Sequence, residues 1–174
     1  ITMALVVSVA VVTLFSALVI VNLDAVAYLF GSTHRLLPLV REYLLWVTLG
    51  MPFSCVFFSG MFYVRLDGAP KFAMWCEIIG ALLNILLDYI FIFPLGMGIM
   101  GAALASSLSC VVGSLLIMGY LLFYTKRVSL CRFRAAFARG SQWLYTTWMQ
   151  VKLGLSGFLG ELAISLMLVL GNYV

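Results

Sequence analysis

The chain has 174 residues, 65% of them hydrophobic and 9% charged, with a formal net charge of +4 at pH 7. A soluble domain of this size needs far more charge to cover its surface, so lipid must replace water around most of these side chains.

Five apolar runs follow along the chain, each long enough for a helix to cross a hydrocarbon core of about 30 Å. Residues 1–23 carry no charge. A signal peptide would have a basic start and a shorter apolar stretch, so a membrane span is expected there. Residues 43–64 form a second uncharged run, with Pro52 expected to kink it. The third, residues 72–93, contains Glu77 and Asp88. The fourth, residues 98–124, is uncharged and dense in small residues (GIMGAALASSLSCVVGS). A fifth starts near Leu153 and contains Glu161. Runs of this kind span as helices, whereas β-barrel strands would be shorter and would alternate. The expected fold class is therefore all-α, a polytopic helical membrane protein with five transmembrane helices. Both chain ends fall within apolar runs, so a fragment of a longer chain is expected.

Charge sorts the links by side. Residues 24–42 hold Arg35 and Arg41, while 94–97 hold no basic residue. Residues 65–71 hold Arg65 and Lys71, and 125–152 hold Lys126, Arg127, Arg132, Arg134, Arg139 and Lys152. Sides alternate with each crossing, so one face collects eight of the ten Lys and Arg residues. The positive-inside rule places that face in the cytoplasm, with links 65–71 and 125–152 cytoplasmic. The long basic link also carries Phe133, Phe137, Trp143, Tyr145 and Trp148. It reads as a connector lying on anionic lipid, with aromatics at headgroup depth, and not as a nucleic-acid surface.

Cys55, Cys76, Cys110 and Cys131 form no close pair, so neither a metal site nor a disulfide framework is expected. His34, in the outer link, reads as a solvated loop histidine. No phosphate-binding glycine loop or nucleophile triad is present, and an enzyme is not expected.

Acids inside spans are the informative residues, because each costs about 2.5–3.5 kcal/mol at mid-membrane on insertion scales. Asp88 follows Asn84 by one helical turn in NILLDYIF, which puts both on one face, with Ala81 and Glu77 continuing the stripe. Asp88 lies roughly 25 Å along the helix from Lys71, at about 1.5 Å per residue. An amide oxygen and a carboxylate so placed can hold a small cation, or the acid can carry a proton. Glu77 sits near the cytoplasmic interface and reads as an interfacial acid. Glu161, after the glycine-rich GLSGFLG, is a second candidate. Ser106 and Ser107 are the hydroxyls expected to add ligands from the fourth span, where small residues also let helices approach closely.

Residues 43–109 resemble the N-terminal half of a multidrug and toxic compound extrusion (MATE) transporter. The resemblance is carried by RLDGAPK, then LNILLDYIFI, then LGMGIMGAALASS, in fixed order and spacing. It implies a twelve-helix transporter of two six-helix lobes, of which this chain covers the third helix to the start of the seventh. Residues 1–124 would be helices three to six, 125–152 the connector between lobes, and 153–174 the truncated first helix of the second lobe. It implies export of small organic cations or amphipathic drugs from the bacterial inner membrane, in exchange for H⁺ or Na⁺, with no other cofactor. It also implies a cation site including Asn84, Asp88 and the Ser106 hydroxyl, where the family pattern GAAxAT has Thr. Na⁺ could bind at Asn84 and Asp88. Glu161 matches an acid on the seventh helix of some members. Ser156 stands where many have Pro.

A lipid-linked saccharide flippase of the same superfamily is the alternative reading. It would want basic residues facing its cavity, and the four complete spans contain none. A membrane prenyl or acyl transferase would want paired acids or histidines at one membrane face, and no such pair is seen.

Overall fold

The structure is a computed structural model that describes residues 2–29, 32, 34–125 and 142–171. All regular structure among them is helical: α1 (Thr2–Val21), α2 (Leu23–Leu29), α3 (Leu37–Leu66), α4 (Pro70–Ile92), α5 (Gly98–Phe123) and α6 (Gln142–Gly171). Helices α1, α3, α4 and α5 are long and apolar enough to cross a membrane. Helix α6 is 30 residues long and holds Lys152 and Glu161. The described residues divide into two units, one holding residues 5–125 and the other residues 2–4 and 142–171.

Three boundaries differ from the sequence reading. Helix α2 forms inside the expected outer link, where Asp24 had masked a short apolar stretch. Helix α3 begins at Leu37, before the apolar run proper, because Pro38 in its first turn needs no donor there. Helix α6 begins at Gln142 and not near residue 153, and runs through the glycines of GLSGFLG. The connector residues 126–141, with five of the expected cytoplasmic basic residues and Cys131, lie outside the described residues.

The turn between α3 and α4 follows from RLDGAPK. Gly68 takes φ +93°, the left-handed region that ends a helix at little cost for glycine. Its N–H donates to the Arg65 carbonyl at 3.2 Å, and the Ala69 N–H reaches the Val64 carbonyl at 3.2 Å. Two carbonyls left open by the helix end are thereby satisfied. Pro70 then opens α4, where its missing N–H is not needed. The buried Asp67 carboxylate accepts a hydrogen bond from the Tyr120 hydroxyl at 2.9 Å, tying this turn to the end of α5. Phe72 stacks on the same Tyr120 ring, with centroids 4.7 Å apart. Tyr120→Phe is expected to lower thermal stability by about 1.5–3 kcal/mol, the usual worth of a hydrogen bond to a charged group. Thermal unfolding of the purified protein in detergent checks this.

The core lies toward this same end. Leu5 of α1, Phe57, Met61 and Val64 of α3, Ala73 and Cys76 of α4, and Ile117 and Leu121 of α5 form one buried cluster. Helices α3 and α5 make the closest packing, followed by α4 and α5. Lipid tails are as apolar as these side chains, so the association depends on close van der Waals fit and not on escape from water. The sequence supplies the fit with small residues: Phe57 lies over Gly113, where a Cβ would come within 2.6 Å of the ring. Helix α3 continues through Pro52 as a single helix.

Candidate functional site

The polar groups of α4 and α5 meet beyond this core, toward the α4 C-terminus. Asn84 donates through Nδ2 to Ser106 Oγ at 3.2 Å and to Ser109 Oγ at 3.5 Å. Ser109 in turn donates to the Ser106 carbonyl at 2.9 Å. The sequence reading had paired Ser106 with its neighbour Ser107. Adjacent helical residues point about 100° apart, and the structure separates the two. Ser107 faces α3 instead, donating to the Trp46 carbonyl at 2.9 Å. It occupies the space left by Gly50, where a Cβ would lie 2.5 Å from Ser107 Oγ. Ser109, which the sequence reading missed, is the α5 hydroxyl on the Ser106 face. Its three-residue spacing from Ser106 was the available signal.

Asp88 sits one turn before Ile92, the last residue of α4. A side chain so near a helix end could reach a membrane interface. Its Oδ1, however, is buried with no hydrogen-bond partner among the described residues. A carboxylate oxygen shielded from water and left without a donor is costly, and such groups call for a physical explanation. A bound cation or a proton on the carboxyl group would relieve that cost. Asn84, one turn back on the same face, uses only Nδ2 in its contacts with α5, so its carbonyl oxygen is not engaged there.

The other acids divide differently. Glu77 is exposed and paired with Arg65, Oε2 to Nη2 at 3.2 Å, beside the turn between α3 and α4. An exposed pair of this kind is worth under about 1 kcal/mol. Glu77→Gln is expected to change stability by less than about 1 kcal/mol, read by thermal unfolding of the purified protein in detergent. Glu161 lies exposed on α6 and makes no hydrogen bond or ion pair among the described residues. Asp24 of α2 lies 3.8 Å from Arg41 of α3. His34, expected to be merely solvated, shares a 3.1 Å hydrogen bond with the Tyr28 hydroxyl and packs edge-on against that ring.

Comparison with known proteins shows what the chain as a whole is similar to. The family description MatE matches residues 1–90. The multidrug export protein MepA of Staphylococcus saprophyticus is 35% identical over 99 residues, covering 57% of this chain and 22% of that protein. MepA of Staphylococcus aureus is 34% identical over 97 residues, covering 56% of this chain and 22% of that protein. The chain thus matches less than a quarter of the length of these relatives. A crystal structure of MATE in the bent conformation aligns with TM-score 0.80 and 28% identity, over 93% of this chain and 35% of that one. An inward-facing multidrug resistance MATE family transporter aligns with TM-score 0.73 and 28% identity, over 87% of this chain and 33% of that one. With the family match spanning half the chain and the helices superposing on solved members, this multi-pass membrane protein belongs to the MATE family of transporters.

Proposed function

We propose that the full-length protein containing this chain is a secondary active exporter of cationic or amphipathic compounds, driven by inward H⁺ or Na⁺. In this reading the chain supplies helices three to six of the N-terminal lobe and the first helix of the second lobe. Asn84, Asp88 and Ser106 hold the coupling ion.

One observation carries the reading: the Asp88 carboxylate oxygen is buried without a partner, one turn from an Asn tied to α5. An unpaired acid within a span is rarely retained for stability. It can bind a proton, or share a small cation with the Asn84 carbonyl. Either event neutralises the buried charge and favours tighter packing of α4 on α5. Alternating access then needs only that the ion and the exported compound prefer different lobe conformations. The relatives named multidrug export proteins support the same direction of transport.

Links 65–71 and 125–152 face the cytoplasm in this account, and the membrane is the plasma (bacterial inner) membrane. Glu161 is a second candidate coupling acid, belonging to the other lobe. The test is Asp88→Asn in the full-length protein, with export of a fluorescent organic cation from vesicles under imposed Na⁺ and pH gradients. Undiminished gradient-driven export would sink the assignment.

A further inference from the structure

We infer that Ser109 is a positioning residue that decides which atom of Asn84 faces the coupling cation. The inference rests on the role proposed above for Asn84 and Asp88.

An asparagine amide can be turned either way, and its two ends differ completely toward a cation. The carbonyl oxygen is a ligand, while the NH₂ group is a donor that repels positive charge. What fixes the amide must therefore tell N from O. Ser106 alone cannot, because a hydroxyl can rotate to donate to an oxygen or accept from a nitrogen. Ser109 can. It is buried, at 6% exposure, and its single proton is directed to the Ser106 carbonyl at 2.9 Å. Toward Asn84, 3.5 Å away, its oxygen has only lone pairs to offer. An amide oxygen in that place would set lone pair against lone pair. The NH₂ group must point there, and its other hydrogen serves Ser106 Oγ at 3.2 Å. Both amide hydrogens are thus drawn to α5, which leaves Oδ1 for the face that carries Asp88.

Such partners commonly change ion affinity about 10–100-fold when removed, although they never touch the ion. Ser109→Ala removes the one acceptor that discriminates, and Ser106 then tolerates either amide orientation. Ser109→Thr keeps the hydroxyl.

The experiment uses full-length protein in vesicles, comparing wild type with Ser109→Ala, Ser109→Thr and Asp88→Asn. Na⁺ is titrated at fixed pH, pH is titrated at fixed Na⁺, and KM for a fluorescent organic cation is measured separately. The expected result is a roughly tenfold or greater rise in half-saturating Na⁺, or a shift of about one unit in the pH midpoint, for Ser109→Ala. KM for the exported compound should change less than twofold, and Ser109→Thr should restore the ion dependence. Unaltered ion dependence in Ser109→Ala, with Asp88→Asn inactive, overturns the role of Ser109 and leaves the ion site standing. An equal rise in the ion and compound parameters also overturns it, since that would mark a packing defect. Wild-type coupling in Asp88→Asn would instead remove the underlying reading.

Discussion

Asp88→Asn is expected to cut gradient-driven export at least tenfold while leaving the protein as stable as wild type or more so. The two halves of this expectation have one cause. The buried Oδ1 has no donor among the described residues. A charged acid held in a span costs about 2.5–3.5 kcal/mol on insertion scales. The amide of Asn has nearly the same shape and no charge, so the larger, charge-dependent cost is exchanged for that of an unpartnered buried amide, about 1–3 kcal/mol. What disappears with the charge is the ability to bind a proton or to offer full negative charge to Na⁺. In the proposed mechanism the variant resembles the neutralised state permanently, so the ion would no longer distinguish the two lobe conformations. Coupling free energies of 1–3 kcal/mol correspond to changes of about 5–150-fold, and their loss sets the expected scale. Export in vesicles and thermal unfolding in detergent should move in opposite directions. A variant that loses activity because it unfolds would contradict this account of Asp88.

Gly50→Val is expected to disrupt the α3–α5 contact, costing about 2–4 kcal/mol of stability. A Cβ at Gly50 would lie 2.5 Å from Ser107 Oγ, 2.8 Å from its Cβ and 3.2 Å from its Cα. Ser107 Cβ does not move when χ1 rotates, so no rotamer change relieves the 2.8 Å contact, and the backbone must shift. Overpacking of this kind costs about 1–3 kcal/mol. Displacing Ser107 also breaks its bond to the Trp46 carbonyl, worth about 1 kcal/mol more. Gly119 provides the control, because a Cβ there meets nothing within 4 Å. Gly119→Ala should change thermal stability by less than about 1 kcal/mol in the same unfolding measurement. Similar behaviour of the two variants would contradict the packing described for Gly50.

The helices were legible in the sequence because the bilayer imposes a simple requirement, a long apolar run with charge outside it. α1, α4 and α5 fall close to the expected spans for that reason. Helix ends that depend on something other than hydropathy were less visible. α2 is too short to register as a span, and Asp24 made it look like a link. α6 starts at Gln142, because the basic and aromatic composition of residues 142–152 is as compatible with a helix as with a loop and so did not mark the start. In the candidate site, the one-turn spacing of Asn84 and Asp88 was readable directly. The partner on α5 was not settled by composition, because that helix offers Ser106, Ser107, Ser109 and Ser114 within a short stretch. Which hydroxyl faces α4 depends on helix rotation, and rotation is set by how Gly50 and Gly113 receive Ser107 and Phe57. The pairing of His34 with Tyr28 likewise arises from the fold of the outer segment and has no local sequence signal.

Direct ion binding tests the central claim most closely, since it does not depend on the exported compound. Purified full-length protein and its Asp88→Asn variant should be compared for binding of radiolabelled Na⁺ and for proton uptake on acidification. The account predicts saturable binding of one of these ions by the wild type, with that component absent from the variant. Equal binding of both ions by the two proteins would contradict it.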